Sequence, residues 1–273
     1  MTSETALRAE VENAYDSGAA ASGLLEAFLK ALDCGQVRAA QPAGSGWQVN
    51  AWVKKGILLA FRASKVVEME FAGNSFFDKQ AFPLKHIALD DGIRLVPGGS
   101  AIRKGAFLGK GVVIMPPTYV NVGAYVDSST MLDSHVLIGS CAQVGNSVHV
   151  SAGVQVGGVL EPVGSLPVIV EDHAFIGGNC GLFSGVLVRK GAVLAPGLQL
   201  TPSVPLYDCV NETVLAPENG RLEVPENAVV VPGVRMRDSA FAQRNRLGSQ
   251  AALIVKYRDG KTDAAVALEE GLR

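Results

Sequence analysis

Aromatic residues are scarce in this chain of 273, at 6%, and charged residues are few, at 18%. The charges nearly cancel, leaving a net charge of −2. A nucleic-acid binder neutralises phosphates with a basic patch, and this balance offers none. No run of about 18 apolar residues occurs, so no transmembrane helix and no membrane partner are expected. The four cysteines, Cys34, Cys141, Cys180 and Cys209, are widely spaced and form no CxxC pair. That pattern argues for a reducing compartment and against a zinc knuckle, and no metal is expected. The N-terminal stretch MTSETALRAEVENAYDSG is polar and acidic, without the basic-then-apolar order of a secretory signal. A cytoplasmic location is the expectation.

Apolar residues, by contrast, make up 48% of the chain, and there are 31 glycines. Much aliphatic volume, little aromatic volume and abundant glycine suggest a repeat with tight corners. Steps of six from Val96 land on Ile102, Leu108, Ile114, Val120, Val126, Leu132, Ile138, Val144, Val150 and Val156. A second run starts at Val170 and continues through Ile176, Leu182, Val188, Leu194, Leu200 and Leu206. Fourteen residues separate Val156 from Val170, two more than a pair of hexads, and LEPVGSLP within them reads as an extruded loop. The fourth residue after most of these aliphatics is small or β-branched, as at Ala106, Val112, Thr118 and Ala124. The third is often glycine, as at Gly105, Gly111 and Gly123, and glycine tolerates positive φ at a corner.

A period of six excludes an amphipathic helix, whose period is 3.6. It describes a short strand and a corner, and three such sides close a triangular coil. The fold expected is therefore mainly β: a left-handed parallel β-helix of hexapeptide repeats over residues 92–210. Six coils at ~4.8 Å each give a prism about 29 Å tall. Residues 1–91 read as a small N-terminal α+β domain. It would hold two short helices within 1–40, a strand or hairpin in WQVNAWVKKGILLAFR and a loop in FAGNSFFDKQAF. Residues 211–273 read as a C-terminal cap, needed because an open coil end exposes unpaired strand edges. Its parts are a hairpin, a return strand, a further strand, a turn at Asp259-Gly260 and a terminal helix. The register is expected to break after Leu206. Flat outer faces pack on copies of themselves, so a homotrimer with grooves between prisms is expected.

The stretch MPPTYVNVGAYVDSSTMLDSHVLIGSCAQVGNSVHVSAGVQVGGVLEPVGSLPVIVEDHAFIGG resembles tetrahydrodipicolinate N-succinyltransferases. The motifs YVNVGAYVD, IGSCAQVG and GGVLEP are more specific than the hexad. The resemblance extends to WVKKGILLAFR, FFDK, VPENAVVVPG and IVKY. It implies a trimer with active sites between subunits in the succinylase route to diaminopimelate and lysine. Succinyl-CoA would be the donor, and the ring-opened amino-keto form of the substrate the acceptor. The family's carboxylate-binding Arg falls on Arg94, and the Asp that contacts the substrate amine falls on Asp133.

Both placements are chemically sound. A guanidinium fork suits a dicarboxylate acceptor, and a carboxylate can orient an amine and accept its proton. Backbone amides near Gly157 and Gly158 are candidates to stabilise the oxyanion. The substrate-binding candidates are Arg94, Asp133 and Ser151, and the catalytic candidates Asp133 and His135. The coenzyme A groove is assigned Gly157, Gly158, Glu161, Gly185, Arg189 and Lys256. Bland readings stand beside these: a corner aspartate, a solvated surface cation, structural His149 and His173, and inert Cys141 and Cys180.

Two positions depart from the family pattern. FIGGNCGLFSG places Gly181 where the family carries a Glu, and His135 stands where it carries a Trp. Loss of a carboxylate opens alternatives: a different acceptor or an acetyl-CoA donor in secondary metabolism such as tabtoxin biosynthesis. Two others are O-acyl transfer with His135 as base, and a non-catalytic trimeric scaffold.

Overall fold

The computed structural model describes residues 3–19, 21, 23–44, 46–71 and 73–262. Its body is a prism of two-residue strands that visit three parallel faces in turn. On the first face Ala101, Tyr119, Leu137, Gln155, Gly181 and Gln199 stack in register. The second face stacks Phe107, Tyr125, Gln143, Ile169, Leu187 and Glu223. Arg94, Val113, Met131, His149, Phe175, Val193 and Val229 stack on the third.

The second residue of each strand points inward, as the alternation of a strand requires. Ile114, Val120, Val126, Leu132, Ile138 and Val144 are among the columns that fill the prism, and each is fully buried. Each such side chain contributes about 1.5–3 kcal/mol on burial, so the hexad itself is the main source of stability. The loop after Val156 is extruded without loss of register, because Gln143 pairs directly with Ile169. Corners are left-handed at the expected position. Gly105, Gly111, Gly123, Gly153, Gly185, Gly191 and Gly197 have positive φ, and so do Ser129, His135, Cys141, Ser147, His173 and Asn179 at equivalent positions.

The N-terminal region holds α1 (Glu4–Ser17), α2 (Leu24–Asp33) and α3 (Ala51–Ala63). Of the strand or hairpin expected from Trp47 to Arg62, Trp47–Val49 is a strand paired antiparallel with Ala40–Pro42, while the third helix corrects the remainder from Ala51. Trp52, Val53, Ile57, Leu59 and Ala60 fall at helical spacing and pack against α1 and α2, which overrides the mixed local pattern. The loop expected across Phe71–Phe82 is instead the second half of a hairpin, with Val66–Phe71 paired antiparallel to Asn74–Lys79. This domain lies on the second face. Arg38 stacks over Tyr125 at 3.6 Å and donates to Gln143 at 3.0 Å, while Trp47 donates to Glu171 at 2.8 Å.

The repeat also does more at its far end than its register suggests. Leu206–Asp208 leaves the prism to pair antiparallel with Thr213–Leu215. Glu223–Val224 then rejoins the second face on Leu187–Val188, and Ala228–Met236 rejoins the third on Val193–Leu194. The segment read as a return strand thus adds to the coil, its hexad spacing hidden by the excursion. Ala228–Met236 runs on past the prism and pairs with Gly248–Tyr257, forming an arm whose connection carries α4 (Ala240–Asn245). The terminal helix expected after Asp259-Gly260 lies largely beyond residue 262, outside the described residues.

Candidate active site

The corner between the third and first faces carries the acceptor-side candidates. Asp133 begins one such corner, its amide donating to the Val150 carbonyl at 2.9 Å. Its Oδ1 accepts the Ser134 N–H at 2.7 Å. Asn121 and Asp127 make the same local bond at their own corners, so that contact is corner geometry rather than a signature of catalysis. What singles out Asp133 is its setting. Among residues 115–118, 133–136, 151–154, 177–180 and 195–198, which stack along this edge, it is the sole carboxylate. Ser151 holds the equivalent place one coil on, since Leu132 pairs with Val150. Arg94 is exposed on the third face, two coils before Met131, roughly 10 Å along the prism. His135 is exposed on the Asp133 corner with φ of 62°, its amide donating to the Pro117 carbonyl at 2.8 Å. Histidine is among the residues that adopt this conformation more readily than most.

Gly181 lies between Gln155 and Gln199 on the adjoining first face. A Cβ there would collide with Gln199 Oε1 and come within 2.5 Å of Phe183 Cε2. A carboxamide therefore fills this space. Gln199 Nε2 donates to the Asn179 carbonyl at 2.9 Å, and Gln250 Nε2 donates to the Gln199 carbonyl at 2.8 Å. Gln199 is not among the residues singled out from the sequence, although a spacing of eighteen from Gly181, three hexads, places the two on neighbouring coils.

The donor-side candidates gather at the next corner, between the first and second faces. The extruded loop there borders a groove of 640 Å³ lined by Gly158, Glu161, Ser165, Ser184 and Pro202, among others. Gly157 is spent as a donor, because its N–H already bonds the Leu182 carbonyl at 2.8 Å. Gly158 N–H makes no backbone bond among the described residues, so the expected pair of oxyanion donors reduces to Gly158. Gly185 is needed for packing: a Cβ would stand 2.6 Å from Leu166 Cβ, where φ is also 78°. Lys54 of α3, fully buried, anchors the loop by donating to the Ser165 carbonyl, a role that its place in the sequence does not signal. Burial lowers its pKa, while the nearby Cys141 opposes that shift.

Arg189 and Lys256 stand apart from this groove. Arg189 bridges Glu171 at 3.0 Å and Glu223 at 2.7 Å on the second face. Burial alone would lower its pKa, but the two carboxylates outweigh it and raise the value. Lys256 pairs with Asp259 at 3.1 Å on the arm, beside Val229 of the third face. Cys141 is no nucleophile, because burial pushes its thiol up to about 12. Among the described residues no helix is long and apolar enough to cross a membrane.

Residues 6–63 match the family model for the tetrahydrodipicolinate N-succinyltransferase N-terminal region, and 167–202 match the hexapeptide repeat of succinyl-transferase. A 2,3,4,5-tetrahydropyridine-2,6-dicarboxylate N-succinyltransferase of Acidovorax ebreus is 39% identical, over 98% of each chain. The chain belongs to this family of N-succinyltransferases. The enzyme of the same name from Delftia acidovorans is 42% identical over 90% of this chain and 87% of its own. A solved Campylobacter jejuni structure, named a 2,3,4,5-tetrahydropyridine-2-carboxylate N-succinyltransferase, superposes with a TM-score of 0.54. It is 17% identical over 84% of this chain and 62% of that one, and supports the fold alone. On the first face of this chain Gly181 and Gln199 form a neutral pair.

Proposed function

We propose that the chain is an acyl-CoA-dependent N-acyltransferase. Its substrates are succinyl-CoA and the ring-opened amino-keto form of 2,3,4,5-tetrahydropyridine-2,6-dicarboxylate. The reaction would serve the diaminopimelate route to lysine in the cytoplasm. The observation that carries this reading is identity near 40% to curated N-succinyltransferases over nearly the whole chain. The prism adds support, since flat faces suit a cyclic homotrimer whose grooves bring different corners of neighbouring chains together.

In this mechanism Arg94 pairs with an acceptor carboxylate, where its planar fork can make two charge-assisted bonds. Asp133, with Ser151 one coil away, orients the amine. The amine nitrogen attacks the thioester carbonyl and its proton passes to Asp133. Gly158 N–H faces the developing oxyanion. The C–S bond then breaks, and the thiolate takes up one proton to leave as free coenzyme A. His135, exposed on the Asp133 corner, exchanges protons with solvent. Glu161 and the extruded loop border the donor.

The test is release of free thiol from succinyl-CoA in the presence of the acceptor, with acetyl-CoA in parallel. Thiol release that needs both enzyme and acceptor, and favours the succinyl donor, is expected. No release with either donor across a panel of amino-dicarboxylates, together with no saturable coenzyme A binding, would leave only a scaffold. A preference for acetyl-CoA would redirect the donor assignment.

A further inference from the structure

Lys54 is the sole buried cation among the described residues, and none of it reaches solvent. Asp208, the one buried carboxylate among them, is surrounded by Tyr257, Asn211 and two backbone amides. Lys54 has no carboxylate partner among the described residues, and its ammonium makes a single hydrogen bond there, to the Ser165 carbonyl. Its neighbours along α3, Trp52, Val53 and Ile57, belong to the N-terminal core, which Cys141 of the prism shares. Taking an ammonium out of water for one bond is costly, and an unbranched apolar side chain of similar volume would pack there without that cost. The helix thus has no need of the charge for its own packing. What the charge reaches is the extruded loop.

The two parts of that loop are held differently. Its base is fixed by the prism. Gly157 N–H bonds the Leu182 carbonyl at 2.8 Å, and Val159 N–H bonds the Ser140 carbonyl at 3.2 Å. Gly158 lies so close to Gly139 that a Cβ on either would collide with the backbone of the other. Further out, Ser165 N–H bonds the Pro162 carbonyl at 3.0 Å, which closes a turn within the loop and ties it to nothing else. Two contacts join this outer part to the N-terminal domain: Leu160 packs on its core, and Lys54 holds Ser165.

We infer that Lys54 is a positioning residue for acyl transfer, holding the outer part of the extruded loop, from the N-terminal domain, in the conformation that receives the acyl donor. The inference rests on the thioester-transfer reading and adds to it a residue outside the groove. Lys54 does not line the groove, whereas Ser165 does, so Lys54 acts through the Ser165 carbonyl. Because the base of the loop is fixed independently, Gly158 keeps its place when Lys54 is lost. The loss is then felt in donor binding rather than in bond making, and Asp133, on another corner, is untouched.

The experiment compares the native full chain with Lys54→Met, which removes the ammonium and keeps an unbranched chain, and with Lys54→Arg, which keeps a cationic donor. Hydrogen exchange read by mass spectrometry needs no turnover. Amides across residues 160–166 should exchange roughly tenfold or more faster in Lys54→Met, with α3 and the prism unchanged. Kinetics should show the KM for succinyl-CoA raised about tenfold or more, with kcat within a few-fold of native and the acceptor KM unchanged. Lys54→Arg should recover part of both effects. The melting temperature of Lys54→Met should stay near native, because removal of a buried charge offsets the lost bond. Unchanged loop exchange overturns the proposal. So does a collapse of α3 protection and melting temperature, which would make Lys54 a structural residue of its domain. Loosening of the loop in Lys54→Met, with no thiol release by the native protein, faults the functional reading while the hold on the loop stands. Thiol release with an unchanged donor KM in Lys54→Met leaves the functional reading intact and overturns the part given to Lys54.

Discussion

Gln199 Oε1 occupies the space that a Cβ on Gly181 would enter, one coil away on the first face. Gly181→Glu therefore cannot restore the family carboxylate without displacing Gln199 and Phe183. Denaturant unfolding should show Gly181→Glu destabilised by about 1–3 kcal/mol, the usual cost of overpacking. Gly181→Glu combined with Gln199→Ala should recover part of that loss. If the single variant is as stable as the native protein, Gln199 does not fill the site in solution.

Asp133→Asn should lower kcat by roughly 10²–10⁴, the span attributed to a general base. Folding should be unaffected, because the Asn side-chain oxygen can still accept the Ser134 N–H. A kcat within a few-fold of native would reduce Asp133 to a corner residue. His135→Asn is the matched comparison, since asparagine also tolerates positive φ. Its kcat should fall about tenfold or more at unchanged melting temperature, whereas retained turnover would make His135 structural.

Asp208 links the excursion after the prism to the arm. Its carboxylate accepts the Tyr257 hydroxyl at 2.7 Å and the Asn211 amide at 2.8 Å. Burial pushes the carboxyl up, but these bonds and the Asn211 and Val210 amides outweigh it and hold the pKa below 3.8. The folded form is thus the weaker proton binder. Its contribution to stability is complete above 3.8 and is lost as pH falls towards the folded value. The bond to Asp208 and burial raise the Tyr257 hydroxyl above 10.0, so the tyrosine's contribution is lost only as pH rises beyond that. Tyr257→Phe should lower the melting temperature at neutral pH and flatten the acid dependence. An unchanged acid profile would contradict the assignment.

The prism was legible because inward residues recur every six and nothing but burial selects them. The corner glycines added the chain's turning points. Elsewhere tertiary packing decided what local pattern left open. Trp52, Val53 and Ile57 form a helix because α1 and α2 offer a surface to bury them. The coil's last strands were hidden because the excursion at Leu206–Leu215 interrupts their spacing. In the site, Asp133, Ser151 and Arg94 follow from coil arithmetic, as does Gln199 once that arithmetic is applied. The anchoring by Lys54 does not, because it joins residues 111 positions apart through the N-terminal domain.

Asp133 and the loop groove lie on different corners of one chain, so the account requires each active site to be built from two chains. Asp133→Asn disables the first half. Gly164→Trp should block the second, because Gly164 lines the groove and a Cβ there meets open space. Each variant alone should be nearly inactive in thiol release from succinyl-CoA. Co-expressed in equal amounts and assembled at random into cyclic trimers, they should recover about a quarter of native activity, from sites that draw the intact half of each. Mixed trimers as inactive as either parent would place both halves in one chain and contradict the account.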